Sequence, residues 1–461
     1  MEMMIVTDAK RPLAARPSSD ARTGSASADR VRNLVPLLLL AYSMFFLSPE
    51  VRVTVAGVNL PAYRLVILAF AIPWLMISER RRVRFGLADL LIVLASVWTL
   101  VSFIDHYGYG SGFVRAMGVV IDTAGGYFVA RLCIRDTSDL RLFFLLIIPG
   151  LAFAGAFMAF ESLHKGHVLR PMYASIFGQL PRYSEGAVNG FNEIRLEYRY
   201  GFLRAISVFS HPILGGVLLS STLIVFLNSG IKHWPLYLAL ISGLCGIFSL
   251  SSAAGIAIIL SIILKVTDKF IRLVRGLTWN VIVTFTMLVG LGLEVVSNKG
   301  LLDLLIRQTL VPQTGYYRKA IWEWGLKSVE KHPVYGIGYA EYERPLGLLP
   351  SPSVDAHFLA LAIRDGAFVS LAIAFSMAIT IVLLGRVVGK GKGPERDMLF
   401  GLNCALVILF VASMTVTFFG ESLIWFMAMI GAGASLAQCV FMPARKPPES
   451  VPLSVSVGAL T

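Results

Sequence analysis

Long apolar blocks punctuate this sequence from residue 34 to residue 441, and each is about 15 to 22 residues long, the length that crosses a hydrocarbon layer as α-helix. The blocks fall at 34–48, 61–78, 87–104, 113–132, 142–160, 211–228, 235–250, 251–264, 279–296, 367–385, 399–419 and 422–441, twelve in all. With 56% of its residues hydrophobic and only 15% charged, the chain cannot hide this apolar surface behind a polar exterior. Lipid must cover it instead. Backbone inside lipid has to satisfy its own hydrogen bonds, which a helix does and an open strand does not. The expected fold is all-α: a polytopic integral membrane helical bundle with about 12 transmembrane helices.

The formal charge of +13, from 41 Lys and Arg against 28 Asp and Glu, would suggest nucleic acid in a soluble protein. Here its distribution reads as topology, and no nucleic-acid partner is expected. Basic residues collect in every second connection: Lys10, Arg11, Arg30 and Arg32, then Arg80 to Arg82, then Arg131 with Arg135 and Arg141. The same parity holds for Lys232, for Lys265 with Lys269, Arg272 and Arg275, for Arg386 with Lys390, Lys392 and Arg396, and for Arg445 with Lys446. The positive-inside rule assigns these connections, and both termini, to the cytoplasm. Residues 235–264 are short for two crossings and a turn at LSSAAG, so they form either two full spans or a shallow hairpin. Both return the chain to the same side.

This parity divides the chain. Residues 1–33, rich in Ala, Ser and Arg, read as a disordered cytoplasmic tail rather than a cleaved signal, and 442–461 as a second tail. Helices 1–5 occupy 34–160, helices 6–9 occupy 211–296 and helices 10–12 occupy 367–441. Two long connections, 161–210 and 297–366, fall on the external side, where connections of that length usually carry function. The first holds Lys165, Arg170, Arg182, Arg195, Arg199 and Arg204 and ends in FLRAISVFSHPILGG. In the second, Tyr317, Ile321, Trp324 and Val329 recur at near-helical spacing, with Arg318 and Trp322 four apart on one face. That segment is expected to be a short amphipathic helix ending at His332 and Pro333. Gly336 to Gly338 then supply a turn where backbone can approach a ligand, and Asp355 and His357 stand just before the tenth span.

Charges inside spans are costly, so Arg64, Arg115 and Asp122 also count as candidates. Snorkelling of the arginines and an internal pair for Asp122 is the plainer account. Glu421 in the last external hairpin caps a helix or acts as an acid. GYGSG at 108–112 reads as a turn and GAGAS at 431–435 as close helix packing. The four cysteines follow no zinc spacing and read as small packing residues. His211 and His332 each precede Pro and read first as fixing a turn where a helix begins or ends.

Three segments carry a resemblance: LRAISVFSHPILGG at 203–216, TGYYRKAIWEWGLKSVEKHPVYGIGYAEY at 314–342 and DAHFLALAIRDGAF at 355–368. They resemble the bacterial O-antigen ligase and O-antigen or exopolysaccharide polymerase superfamily, over about residues 34–441. Phe358 stands where that family usually has Asn, and SLSSAAG at 249–255 lacks the Arg that often follows Ser there. The resemblance implies a multi-pass protein of the bacterial inner membrane. It implies a glycosyltransferase that works without metal or other cofactor on an undecaprenyl-diphosphate-linked oligosaccharide outside the cytoplasm. The acceptor is a growing glycan in a polymerase, the branch favoured here, or lipid A core in a ligase. Membrane lipid and other polysaccharide assembly proteins are the further partners implied. On this reading Arg204 and Arg318 hold the diphosphate and His357 is the base, because a planar guanidinium grips phosphate and a neutral imidazole takes a hydroxyl proton. Arg64, Arg115, Trp322, His332, Gly336, Gly338 and Asp355 are expected to line the substrate. A transporter of lipid or polysaccharide would share the topology and is the alternative of another class.

Overall fold

The structure, a computed structural model, describes residues 19–55, 58–77, 84–178, 180, 196–274 and 312–438, with single positions between 278 and 288. It is predominantly helical. In chain order the helices are α1 (Ser19–Phe46), α2 (Ala62–Met76), α3 (Leu87–Cys133), α4 (Thr137–His164), α5 (Leu169–Phe177), α6 (Pro212–Asn228) and α7 (His233–Ser249). They continue with α8 (Ser252–Leu273), α9 (Pro312–Lys331), α10 (His357–Asp365), α11 (Ala367–Lys390), α12 (Gly393–Ser413) and α13 (Glu421–Gln438). Two hairpins supply the strands among the described residues: β1 (Arg52–Val55) with β2 (Val58–Pro61), and β3 (Tyr198–Arg199) with β4 (Phe202–Leu203).

Helices α3, α4, α11 and α12 are long and apolar enough to cross a membrane, whereas α2, α6 and α7 are apolar but shorter. Every expected block except 279–296, most of which lies outside the described residues, coincides with a helix. The outward faces are apolar too: Ile256, Ile259, Ile263, Val266 and Phe270 make an exposed stripe at helical spacing along α8. Its buried face carries Ala253, Ala254, Ala257 and Ser261. A helix apolar on both sides is at home in lipid, not water.

One expectation is corrected at the start of the chain. Helix α1 begins at Ser19, so residues 19–33 are not a disordered tail. Ala and Arg are strong helix formers, and Arg30 is anchored to Asp136 at 2.8 Å and Asp139 at 3.0 Å in the first turn of α4. Residues 1–18 and the proposed tail at 442–461 lie outside the described residues.

Helix α3 is two arms. At Gly108 the backbone turns to φ 74°, and a Cβ on Gly112 would collide with the Phe103 carbonyl, nine residues back. A straight helix would hold those residues about 13 Å apart. Asp89 near the start accepts from Arg131 near the end at 2.9 Å and from the Tyr127 hydroxyl at 2.8 Å, so the arms are antiparallel. The GYGSG turn separates blocks 87–104 and 113–132 as its glycines predict. At the α7–α8 hairpin, the Ala205 N–H donates to the Phe248 carbonyl at 3.1 Å, and a Cβ on Gly246 would lie 2.6 Å from the Gly216 carbonyl. The hairpin tip therefore reaches the first turn of α6, and α7 runs the length of that helix.

Charged side chains sort to two ends of the bundle. At one end, Arg131 also meets Gln438 at 2.5 Å, Arg141 donates to the Ser229 carbonyl at 2.7 Å, and Lys265 donates to Asn228 at 2.6 Å. There too, buried Asp268 holds Arg272 and Arg396. At the other end lie the two long connections.

Helix α13 crosses the second arm of α3 so closely that a Cβ on Gly431 would strike the Tyr127 carbonyl. We expect Gly431→Ala to cost about 1–3 kcal/mol, read as a lowered melting temperature in detergent. Gly255→Ala, where nothing lies within 4 Å, should instead stabilise α8 by about 0.5–1 kcal/mol.

Candidate functional site

The site is built on one carboxylate. Glu161, at the end of α4 and 0% exposed, accepts from the N–H groups of Val168 at 2.9 Å, Leu169 at 3.3 Å, Ile206 at 3.1 Å and Ser207 at 2.8 Å, with His167 Nδ1 at 3.4 Å. An ionised carboxylate has acceptor capacity for all of these donors and a neutral amide does not. Burial alone would raise its pKa, but the hydrogen bonds from His167, Val168 and Ser207 outweigh burial and bring it below the ordinary 4.5. Arg170, itself buried, binds Glu50 at 2.8 Å and the Ser210 carbonyl at 3.1 Å. Glu421 takes the Ser210 N–H at 2.6 Å and its hydroxyl at 2.8 Å. Residues 206–210 are thus suspended from α4, α5 and α13.

That suspended segment continues the β3–β4 hairpin, which carries the arginines. Arg199 stands opposite Phe202, and the next rung is the Arg204 N–H donating to the Glu197 carbonyl at 2.8 Å. With a period of two, Glu197, Arg199, Phe202 and Arg204 share one face. Arg204 is 4% exposed; its Nε donates to the Ser249 carbonyl at 3.3 Å, its Nη1 pairs with Glu197, and its Nη2 is buried without a partner. Arg199 donates to the Leu250 carbonyl at 3.1 Å. The α7–α8 tip therefore orients both guanidinium groups.

The second connection presents Arg318. Ile321 of α9, 1% exposed, packs with Ala320, Tyr342, Leu349, Val354 and Leu359 in a small separate core, as the amphipathic spacing requires. Trp322 is spent on this scaffold, donating to the Met414 carbonyl at 3.1 Å. Arg318 Nε is buried with no partner. Burial pulls the Arg318 pKa below the ordinary arginine value and Arg199 repels it further, while Asp355 opposes both. Arg204 is lowered in the same way, by burial first and Arg199 next, against Glu197 and Asp355. Arg199 and Asp355 therefore each lie within electrostatic range of both Arg204 and Arg318. Three of the expected residues, Arg204, Arg318 and Asp355, thus share a neighbourhood through Arg199 and Asp355.

Arg199 was not singled out from sequence, although it sits in the run YRYGFLR. Two aromatic-flanked strands around Tyr-Gly are a hairpin signal, and alternation then places Arg199 and Arg204 on one face.

Other expectations are corrected. Gly336 and Gly338, at φ 68° and 62°, do not cradle a ligand. The Ile337 and Gly338 N–H groups donate to the Ile363 and Arg364 carbonyls at 2.8 and 3.0 Å, capping the C-terminus of α10, and a Cβ on Gly336 would sit 2.5 Å from the Ile363 oxygen. His332 is exposed, and its carbonyl accepts from Gly336 at 3.1 Å, which is the turn role. Arg64 is neutralised by Asp122 through two bonds of 2.8 and 2.6 Å, and Arg115 covers the Tyr107 ring at 4.5 Å. Asp355 does not orient His357; it accepts from Ser353 at 2.9 Å. His357 itself is 1% exposed, both ring nitrogens lack a partner, and Phe358, Phe418 and Phe426 enclose it at 5.2–5.8 Å between centroids. Burial, with Arg364 nearby, holds its pKa down to about 3. His211 caps α6, its Nδ1 accepting from Ile213 at 3.2 Å, so a neutral ring carries its proton on Nε2.

Comparison with known proteins finds no matching family model and no matching curated protein. Among the described residues no group of three or more His, Cys, Asp and Glu could hold a metal ion.

The Glu161 geometry generates a pH prediction. Its depressed pKa contributes stability above the unfolded value near 4.5, and that contribution is lost as pH falls through the folded value. We expect Glu161→Gln to be about 1–3 kcal/mol less stable than wild type at neutral pH. The gap should close on acidification, followed by melting temperature across a pH series. A constant gap would exclude the carboxylate charge as the cause.

Proposed function

We propose that this protein is a membrane glycosyltransferase of cell-surface polysaccharide biosynthesis. It takes sugar from an undecaprenyl-diphosphate-linked oligosaccharide at the periplasmic face of the inner membrane, with twelve spans and both termini in the cytoplasm. Transfer to a growing glycan is the preferred reaction, and transfer to lipid A core is the alternative. The observation that carries this reading is the pair of unsatisfied guanidinium nitrogens, Arg204 Nη2 and Arg318 Nε, in the two long connections at one end of the bundle. A buried donor without an acceptor is costly, and a diphosphate supplies acceptors together with the charge that offsets three clustered arginines. Arg204, Arg318 and Asp355 come one from each of the three segments of family resemblance, and Asp355 lies within electrostatic range of both arginines, which supports it further. A transporter would need intramembrane charges open to a path, but Arg64 and Asp122 satisfy one another.

In the reaction, the bond between the sugar C1 and the diphosphate oxygen breaks as the acceptor oxygen bonds to C1. The leaving diphosphate keeps the electron pair, and the arginines stabilise the charge that accumulates on it. A base takes the acceptor proton. His357 can serve only after Phe418, in the non-helical segment between α12 and α13, moves off its ring.

Donor affinity and turnover, measured side by side on purified variants, test these assignments. Arg318→Lys keeps a charge but loses the fork, and should weaken donor binding about 10-fold or more. His357→Ala should bind donor normally and lose turnover by about 100-fold to 10,000-fold. A His357→Ala enzyme of near wild-type rate would leave that residue a core histidine only.

A further inference from the structure

The face that carries the arginines also carries the Phe202 ring. Phe202 lies directly across from Arg199 and remains 43% exposed, although its strand neighbour Leu203 is completely buried. At the hairpin tip, Tyr200 and Gly201 both have positive φ, 53° and 80°, the geometry of a two-residue turn whose first position ordinarily takes Asn, Asp or Gly. Tyr occupies it here with 69% of its surface exposed. A bulky ring held in a left-handed conformation at a tip is unfavourable, and among the described residues no contact of the Tyr200 ring offsets it. Exposed rings near a bilayer can anchor in the headgroup layer, but Phe202 shares its face with Glu197, Arg199 and Arg204. A face with one carboxylate and two guanidinium groups does not enter acyl chains, so a headgroup contact and a ligand contact are the two uses left for the ring.

We infer that Phe202 and Tyr200 form a stacking platform for the sugar ring next to the diphosphate in the donor. This rests on the function proposed above and adds the subsite for the transferred glycan. A pyranose presents a face of C–H groups and an edge of hydroxyls. An aromatic ring covers the C–H face and leaves the hydroxyls to water, and a rigid ring loses little freedom in doing so. The order along the hairpin fits one ligand: arginines deep at the α7–α8 tip for the diphosphate, rings toward solvent for the sugar. Stacking of this kind tolerates several hexoses, so the platform holds the sugar without choosing its identity.

The test uses the full-length protein in nanodiscs and two kinds of probe: undecaprenyl diphosphate alone, and the same carrier bearing glucose or N-acetylglucosamine. Wild type should prefer the sugar-bearing carriers by about 10-fold. The double variant Tyr200→Ala with Phe202→Ala should bind all carriers alike, at the affinity of the bare diphosphate, while Phe202→Trp restores the preference. Arg318→Ala should weaken both kinds of carrier and leave their ratio unchanged. The platform is overturned if the double variant keeps the preference, or if it loses bare and sugar-bearing carriers equally, which would mark a lipid anchor or a structural role. If Arg318→Ala binds every carrier as wild type does, the glycosyltransferase reading fails instead, whatever the rings do.

Discussion

Glu161 holds together the end of this molecule that carries the long connections. Its carboxylate gathers four backbone N–H groups from two places in the chain, the start of α5 and residues 206–207, and no neighbouring element could replace it. Buried backbone donors must find acceptors, and a loop entering the bundle has no ladder partner to offer. Because Ile206 and Ser207 are tied to α4, the hairpin that precedes them and the turn at His211 that follows have little freedom. Arg204 reaches the Ser249 carbonyl only because that path is set. The position of Arg204, the group proposed to bind diphosphate, thus depends on a residue that would touch no ligand.

The apolar blocks were legible because lipid imposes a length and leaves few alternatives, so helices appear where a simple count of apolar residues puts them. The glycines at 108 and 431 were also readable, since a turn and a close crossing each leave only a hydrogen at Cβ. What could not be read was the destination of polar groups. Gly336 and Gly338 look the same in sequence whether their N–H groups face a phosphate or the end of α10. Asp355 and His357 are two residues apart, yet Asp355 precedes α10 and His357 opens it, and their side chains go to the arginines and to an aromatic cage. Arg64 and Asp122 lie 58 positions apart, and no local period connects them.

The cage around His357 gives meaning to the departure at Phe358. An amide at that position would bring a polar group against the imidazole; Phe brings a ring at 5.8 Å and joins Phe418 and Phe426 in keeping water out. A histidine in such surroundings stays neutral, which a base requires, but it is also shut away from any hydroxyl. Neutrality and access are separate conditions, and this arrangement meets the first. The second falls to the segment 414–419, which is held by the Trp322 bond to Met414 and by the Thr417 hydroxyl, which accepts from the Ala356 N–H at 3.1 Å.

The two ends of the bundle treat their charges differently. At the end with Asp89, Asp136 and Asp268, arginines meet carboxylates in short, multiple contacts, such as Arg131 with Asp89 and Arg396 with Asp268. Those pairs fasten helices to one another and leave no charge for a ligand. At the end with the long connections, Arg204 pairs with Glu197 through Nη1 but has no partner on Nη2, and Arg318 has none on Nε, with Asp355 partly exposed nearby. Burial makes such donors costly, and a carboxylate set against those two nitrogens would relieve the cost, as Glu50 does beside Arg170. A carboxylate there would compete with an anionic ligand for the same nitrogens. On the function proposed above, the missing acceptors are those that a diphosphate would supply.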